Sequence, residues 1–198
     1  MNIKQKVTSI YYYWLDTIDL LLGRREELTP PKRIFVGRDI DSFRRIGNKF
    51  LQYFTELGEL QPHERVLDIG CSIGRMAIPL TKYLSEGSYE GIDIIPYHIN
   101  WCKKNIMSRY PNFRFQMADV FNKLYNPKGK YKPSEYEFPY QDEDFDFVFL
   151  TSVFTHMLPK DMENYFSQIA RVLRKKGRCL ITFFLLNKES LRLIEMVK

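Results

Sequence analysis

Three aspartates that close apolar runs are the residues best placed to do chemistry. Asp68 lies in Val66-Leu67-Asp68-Ile69-Gly70-Cys71-Ser72-Ile73-Gly74, Asp93 follows 25 residues later in Gly91-Ile92-Asp93-Ile94, and Asp119 sits in Met117-Ala118-Asp119-Val120. Ligands of open α/β sheets bind at the carboxyl ends of the strands, and a carboxylate at the end of a second strand can accept both hydroxyls of a ribose. The small residues 70–74 form a tight turn between strand and helix, where a ligand can approach the backbone. Three carboxylates in one crevice suit a ligand with a sugar, an amine and a net positive centre, and they repel a phosphate-rich one. A dinucleotide fingerprint needs glycine at positions 70, 72 and 75, but Ser72 and Arg75 stand at two of these.

The elements that must position these groups follow from periodicity. Arg65–Ile69, Tyr89–Ile94, Phe113–Met117, Phe145–Leu150 and Arg178–Leu186 read as strands. Helices are expected over Gly74–Leu84, 97–109 and 160–174, the last ended by Gly177. Strands alternating with helices predict an α/β fold: a doubly wound, mostly parallel sheet in three layers. Ahead of it, residues 3–22 and about 39–58 have helical period, separated by Thr29-Pro30-Pro31. Residues 1–60 are therefore expected to be an N-terminal helical extension and 61–198 the ligand-binding domain.

In order and spacing, residues 65–182 resemble the class I, Rossmann-like S-adenosylmethionine-dependent methyltransferases. The matching stretches are VLDIGCSIG, GIDI, MADV, FDFVFLTSVFTHM and IARVLRKKGRCLITFF. The resemblance implies S-adenosylmethionine as cofactor. Gly70, Cys71, Ser72 and Gly74 would wrap its methionine part, with Asp68 near the ammonium. Asp93 would hold the ribose hydroxyls and Ile94 would pack on adenine. Asp119 would accept from the adenine amino group beside the Val120 backbone, and Thr151 and Ser152 would line the methionine end. His156 is the candidate catalytic base; capping and packing are the other readings of it. Two departures stand out. Glycine is usual where Ser72 stands, so a positive φ there would be strained. The family's sheet has seven strands, the last two antiparallel. This chain stops at Lys198, so the sheet is expected to lack them, either as a fragment or as a shortened fold.

The implied activity is methyl transfer to an acceptor that is a small molecule or a glycan or lipid precursor. The other readings are a cofactor-binding protein without turnover and an interaction module on the same fold. The net charge of +6 is mild, and residues 160–198 carry nine Lys/Arg against four Asp/Glu. No basic stripe with interleaved aromatics marks a nucleic-acid partner. The scattered Cys71, Cys102 and Cys179 have neither metal nor disulfide spacing, which suggests a reducing, cytoplasmic setting without a metal. No apolar run is long enough to span a membrane. His63 and His98 read as surface or packing residues. The excursion 121–144 is expected to touch the ligand only near Phe121–Tyr125. The first helix reads as packing on the domain, as a wall over the acceptor or as an interfacial membrane helix, a reading that Asp16 and Asp19 weaken; the expectation is that Tyr11–Trp14 walls the acceptor.

Overall fold

The computed structural model describes residues 3–23, 27–32, 34, 40–183 and 187–196. Its centre is a five-stranded, wholly parallel sheet of order β3-β2-β1-β4-β5. The strands are β1 (Arg65–Ile69), β2 (Ser88–Asp93), β3 (Phe113–Met117), β4 (Phe145–Leu150) and β5 (Leu173–Ile181). The central strands β1, β2 and β4 are buried at nearly every position, as befits strands covered on both faces, while the edge strands β3 and β5 are partly exposed. Ile69 pairs with Ile92 on one side and Leu150 on the other, so β1, β2 and β4 end level. The order of strands reverses at β1/β4, and the crevice opens there.

Six helices surround the sheet among the described residues: α1 (Ile3–Leu21), α2 (Ile40–Glu56), α3 (Ala77–Tyr83), α4 (Pro96–Cys102), α5 (Pro159–Val172) and α6 (Lys188–Met196). One face of the sheet packs against α2, α3 and α4 through Phe43, Phe54, Leu80, Trp101 and Cys102. The other packs against α5 through Tyr165, Ile169 and Val172. Three layers follow. The expected boundary near residue 60 separates α2 from β1, yet Phe54 is fully buried and tilts against Phe149 with ring centroids 4.3 Å apart.

Several ends differ from the sequence reading. The turn after β1 runs through Ile73–Met76, so α3 begins at Ala77 rather than Gly74. The helix after β2 widens into a π-helical turn at Lys103–Met107. This sets Ile106 against the turn: a Cβ on Gly74 would lie 2.6 Å from the Ile106 Cδ1. Gly177 does not end a helix. Helix α5 stops at Val172, where Asp144 N–H bonds the Val172 carbonyl at 2.8 Å, and β5 starts at once. The pairing jumps from Phe145↔Leu173 to Phe147↔Arg178, and the intervening bulge puts Lys176 at φ +66°. The fifth strand also ends at Ile181 rather than continuing through Thr182 and Phe183 as expected, and the rest of the expected strand, 184–186, lies outside the described residues.

The excursion 121–144 is only partly solvated. Tyr136 and Phe138 are buried in the core on the α5 side. Arg171 donates to the carbonyls of Phe138 and Tyr140, and Asn164 to those of Pro133 and Tyr136, strapping the segment to α5.

Candidate functional site

A cavity of about 530 Å³ opens at the carboxyl ends of β1, β2 and β4, within the range of small-molecule sites. Of the residues expected there, Asp68, Gly70, Cys71, Ser72, Asp93, Ile94, Val120, Thr151, Ser152 and His156 all line it. Gly74 and Asp119 do not.

The turn after β1 is fixed by its backbone. Gly70 N–H and Cys71 N–H both donate to the Ile92 carbonyl, at 2.8 and 3.1 Å. Gly70 sits at φ +87°, and a Cβ there would collide with Val153. Ser72 has φ +50°, the left-handed backbone that the sequence comparison made a concern. Its hydroxyl lies 3.3 Å from His98 Nδ1 and its N–H donates to Asp93 Oδ2 at 2.8 Å. Ser152, also on the cavity wall, has φ +60°, and its N–H donates to Thr182 Oγ1 at 2.8 Å. Non-glycine residues held in this region cost of order 1–3 kcal/mol each and concentrate at functional sites.

Asp93 is the hub. Besides Ser72 N–H it takes Ile95 N–H on Oδ1 at 2.8 Å, so it ties the β1 turn to the entry of α4. Burial raises its carboxyl above the usual range, opposed by the hydrogen bonds from Ile95, Ser72 and Ile94. Each oxygen retains acceptor capacity for a hydroxyl. Asp68 is 2% exposed; Oδ2 accepts the Tyr89 hydroxyl at 2.6 Å, and Oδ1 is buried without a hydrogen-bond partner. Burial pushes Asp68 up to about 8, with the nearby Asp93 adding to the rise; the Tyr89 hydrogen bond and Arg75 oppose it. A buried carboxylate oxygen with an unused lone pair at a cavity wall is the feature an ammonium or its bridging water would satisfy.

Asp119 is exposed. Its carboxylate takes Lys130 N–H at 3.3 Å, and its carbonyl takes Tyr131 N–H at 3.0 Å, so it is turned toward the excursion. Its neighbours Ala118 and Val120 form the wall instead. Gly74 is buried behind the turn, where its missing side chain admits Ile106. His156 is exposed, with its ring edge-on to Tyr125 at 5.5 Å.

The sequence reading missed His98, which is buried on the cavity wall and held down to about 4 by desolvation, hence neutral near neutral pH. The signal was its place in the first turn after β2, beside Asp93. Arg75, Tyr97, Met157 and Tyr165 also line the cavity, as do Phe121 and Tyr125, the one part of the excursion expected there. The expected acceptor wall at Tyr11–Trp14 is not part of it; Ile34, ahead of α2, and Phe43, on α2, are. Tyr11 and Trp14 are 59% and 61% exposed. Among the described residues, no group of three or more His, Cys, Asp or Glu is placed to hold a metal ion, and no helix is long and apolar enough to cross a membrane.

Comparison with known proteins agrees with this geometry. Residues 66–177 match the family described as "Methyltransferase domain". A probable cobalt-precorrin-6B C(15)-methyltransferase (decarboxylating) of Thermoplasma acidophilum is 26% identical over 140 residues, covering 69% of this chain and 59% of that protein. A phthiotriol/phenolphthiotriol dimycocerosates methyltransferase of Mycobacterium tuberculosis is 31% identical over 114 residues, covering 58% of this chain and 35% of that protein. The match thus spans roughly a third to three fifths of the length of these relatives. Among solved structures, a putative sarcosine dimethylglycine methyltransferase from Galdieria sulphuraria superposes with a TM-score of 0.55 at 21% identity, covering 77% of this chain and 52% of that one. With the parallel sheet, the crevice at its switch point and the matched motifs in register, the chain belongs to the class I, Rossmann-like S-adenosylmethionine-dependent methyltransferase family.

Proposed function

We infer that the chain transfers a methyl group from S-adenosylmethionine to a small-molecule acceptor, and that of a lipid or a glycan precursor the largely apolar lipid precursor fits the cavity better. The observation that carries this reading is the composition of the cavity wall. Outside the residues assigned to the donor, the wall presents Ile34, Phe43, Phe121, Tyr125, Val153 and Met157, and Arg75 is its one Lys or Arg among the described residues. A nucleic-acid acceptor would call for a basic track along the opening. Among the similar curated proteins, one is named for a dimycocerosate, one for a cobalt-precorrin and one for 23S rRNA, so the dimycocerosate name alone supports an apolar acceptor and the cavity wall carries the reading.

The residues present fit the donor. Asp93 accepts the ribose hydroxyls, Ile94 and Val120 flank the adenine, and residues 70–72 with Thr151 and Ser152 receive the methionine end. The unsatisfied Asp68 Oδ1 would take the ammonium or a water bridging to it. Bound there, the donor supplies an electrophilic methyl on a good leaving group. The chain's own work is to align the acceptor and exclude water. Where the acceptor is a hydroxyl or protonated amine, a ring nitrogen of His156, steadied by Tyr125, removes its proton. The working unit extends ahead of β1 on this reading, since Ile34 and α2's Phe43 line the cavity and α2 supplies Phe54 to the core.

Incubation with S-adenosylmethionine and a panel of acceptors tests this. S-adenosylhomocysteine should form with apolar small molecules or lipid extracts and not with RNA or DNA. Formation with nucleic acid alone would overturn the acceptor class. Donor binding with no product from any acceptor would favour a binding protein without turnover.

A further inference from the structure

Helix α1 is turned inside out for a helix that packs on its own domain. Its inward positions are Tyr12, Leu15, Asp16 and Asp19, all at least partly buried. Asp16 is 7% exposed and accepts the Lys32 N–H at 2.6 Å, while Asp19 takes the Lys32 ammonium at 2.6 Å. The outward positions are apolar or aromatic: Ile10, Trp14, Ile18 and Leu21 form one line, with Tyr11, Tyr13, Leu20 and Leu22 beside it. These side chains are 44% to 80% exposed. At 100° per residue they sweep an arc of about 200°. A helix that seats on a protein normally hides its apolar stripe and shows its charges. Here the two acids are consumed by Lys32 and the apolar arc is left outside.

We propose that α1 is an interfacial helix that docks the protein on an anionic lipid surface. The width of the arc favours a bilayer interface over a second protein, because a partner helix covers a stripe of roughly 100°. Tyr11, Tyr13 and Trp14 are the residue types that settle at the level of lipid headgroups. With Asp16 and Asp19 turned inward, the charges flanking the arc in sequence are Lys4 and Lys6 before it and Arg24, Arg25, Glu26 and Glu27 after it, four basic against two acidic, and Glu27 is itself paired with Arg109. This matches a negatively charged membrane face. Lys32, which grips both acids, is two residues from Ile34 on the cavity wall. Docking through α1 therefore sets that rim of the cavity beside the bilayer, where an apolar acceptor would be presented. The proposal does not depend on the identity of the methyl acceptor.

The chain's two tryptophans make the test direct, since Trp14 is 61% exposed and Trp101 is 8% exposed. Vesicles of equal parts phosphatidylserine and phosphatidylcholine should shift Trp14 emission to the blue, and brominated acyl chains should quench it. Trp14→Phe should abolish the shift. High salt should weaken binding, and Ile18→Asp with Leu21→Asp should weaken it at least about tenfold. Retention of the cofactor-induced melting shift shows that this variant is folded. Emission unchanged by vesicles overturns the proposal. So does emission that turns blue with protein concentration alone, together with dimer formation in sedimentation, which would assign the face to a second copy.

Discussion

The two sides of the crevice are built differently. The donor side is made by backbone and buried carboxylates: Gly70 and Cys71 N–H on the Ile92 carbonyl, Ser72 and Ile95 N–H on Asp93, and Tyr89 on Asp68. The acceptor side is made by side chains from separate segments, with Ile34 and Phe43 before the sheet, Phe121 and Tyr125 after β3, and Val153–Met157 after β4. A shared donor demands a fixed constellation, whereas an acceptor can be changed by changing loops on the same scaffold. Substitutions on the two sides should therefore separate donor affinity from turnover.

The largest effect is expected at Asp93. Asp93→Ala orphans Ser72 N–H and Ile95 N–H and removes the acceptor proposed for the ribose, and hydrogen bonds to a charged group contribute about 1.5–3 kcal/mol each. Donor affinity should fall at least about tenfold by calorimetry, with the β1 turn loosened in hydrogen exchange. Unchanged affinity in a folded variant would place the ribose elsewhere.

Asp68 gives the next effect, and it is seen in pH. Its folded-state carboxyl stands at about 8 against 3.8 in the unfolded chain, so the folded state holds the extra proton and stability falls as pH rises across that window. His98 acts in the opposite sense: held at about 4 against 6.5, it adds stability as pH rises between those values. The two slopes oppose each other up to pH 6.5, so a decline of about 2 kcal/mol at most should remain from there to pH 8. Asp68→Asn should flatten that decline in denaturant titrations. A decline that persists in the variant would show that another group causes it. Binding of the cationic donor should also draw a proton off Asp68, making the binding heat of the native protein depend on the buffer.

On the acceptor side, Tyr125→Ala should raise the KM for the acceptor several-fold and leave donor affinity within about twofold, since the Tyr125 ring packs edge-on against His156. Equal losses of both would merge the two sides. The smallest effect belongs to Ser72. Ser72→Gly relieves the φ of +50° but frees the unfolded chain and loses the hydroxyl facing His98, so the net change should stay within about 1 kcal/mol. Ser72→Ala keeps the strain and loses only the hydroxyl, and thermal melts of the pair sort the two contributions.

The same contrast explains what could be read in the sequence. The three central strands and β3 stood out within a residue of their bounds, because their inner positions are apolar and they close on Asp or small residues, whereas the edge strand β5, with four Lys/Arg in nine residues, was placed five residues late. Asp68, Asp93 and the 70–72 turn were legible because local chain geometry alone brings them to the level strand ends. Asp119 shared the pattern but not the place: its backbone is captured by Tyr131 and its side chain by Lys130, contacts made by an excursion no spacing rule anticipates. His98 was passed over because nothing in its neighbourhood pairs with it in sequence; its partner, Ser72, lies across a crossover. The stop assigned to Gly177 failed for a related reason. The Asp144 bond to the Val172 carbonyl ends α5 earlier, through the sheet rather than through a local signal. Tyr11–Trp14 were correctly read as a helix, but helical period does not tell which side of an apolar arc meets the domain.

The most direct measurement is a calorimetric titration of the native protein and Asp93→Ala with S-adenosylhomocysteine, with NADH titrated in parallel. The native protein should bind the homocysteine nucleoside, the variant should bind it at least about tenfold more weakly, and neither should bind NADH. Binding of NADH by the native protein, with none of S-adenosylhomocysteine, would contradict the assignment of the crevice.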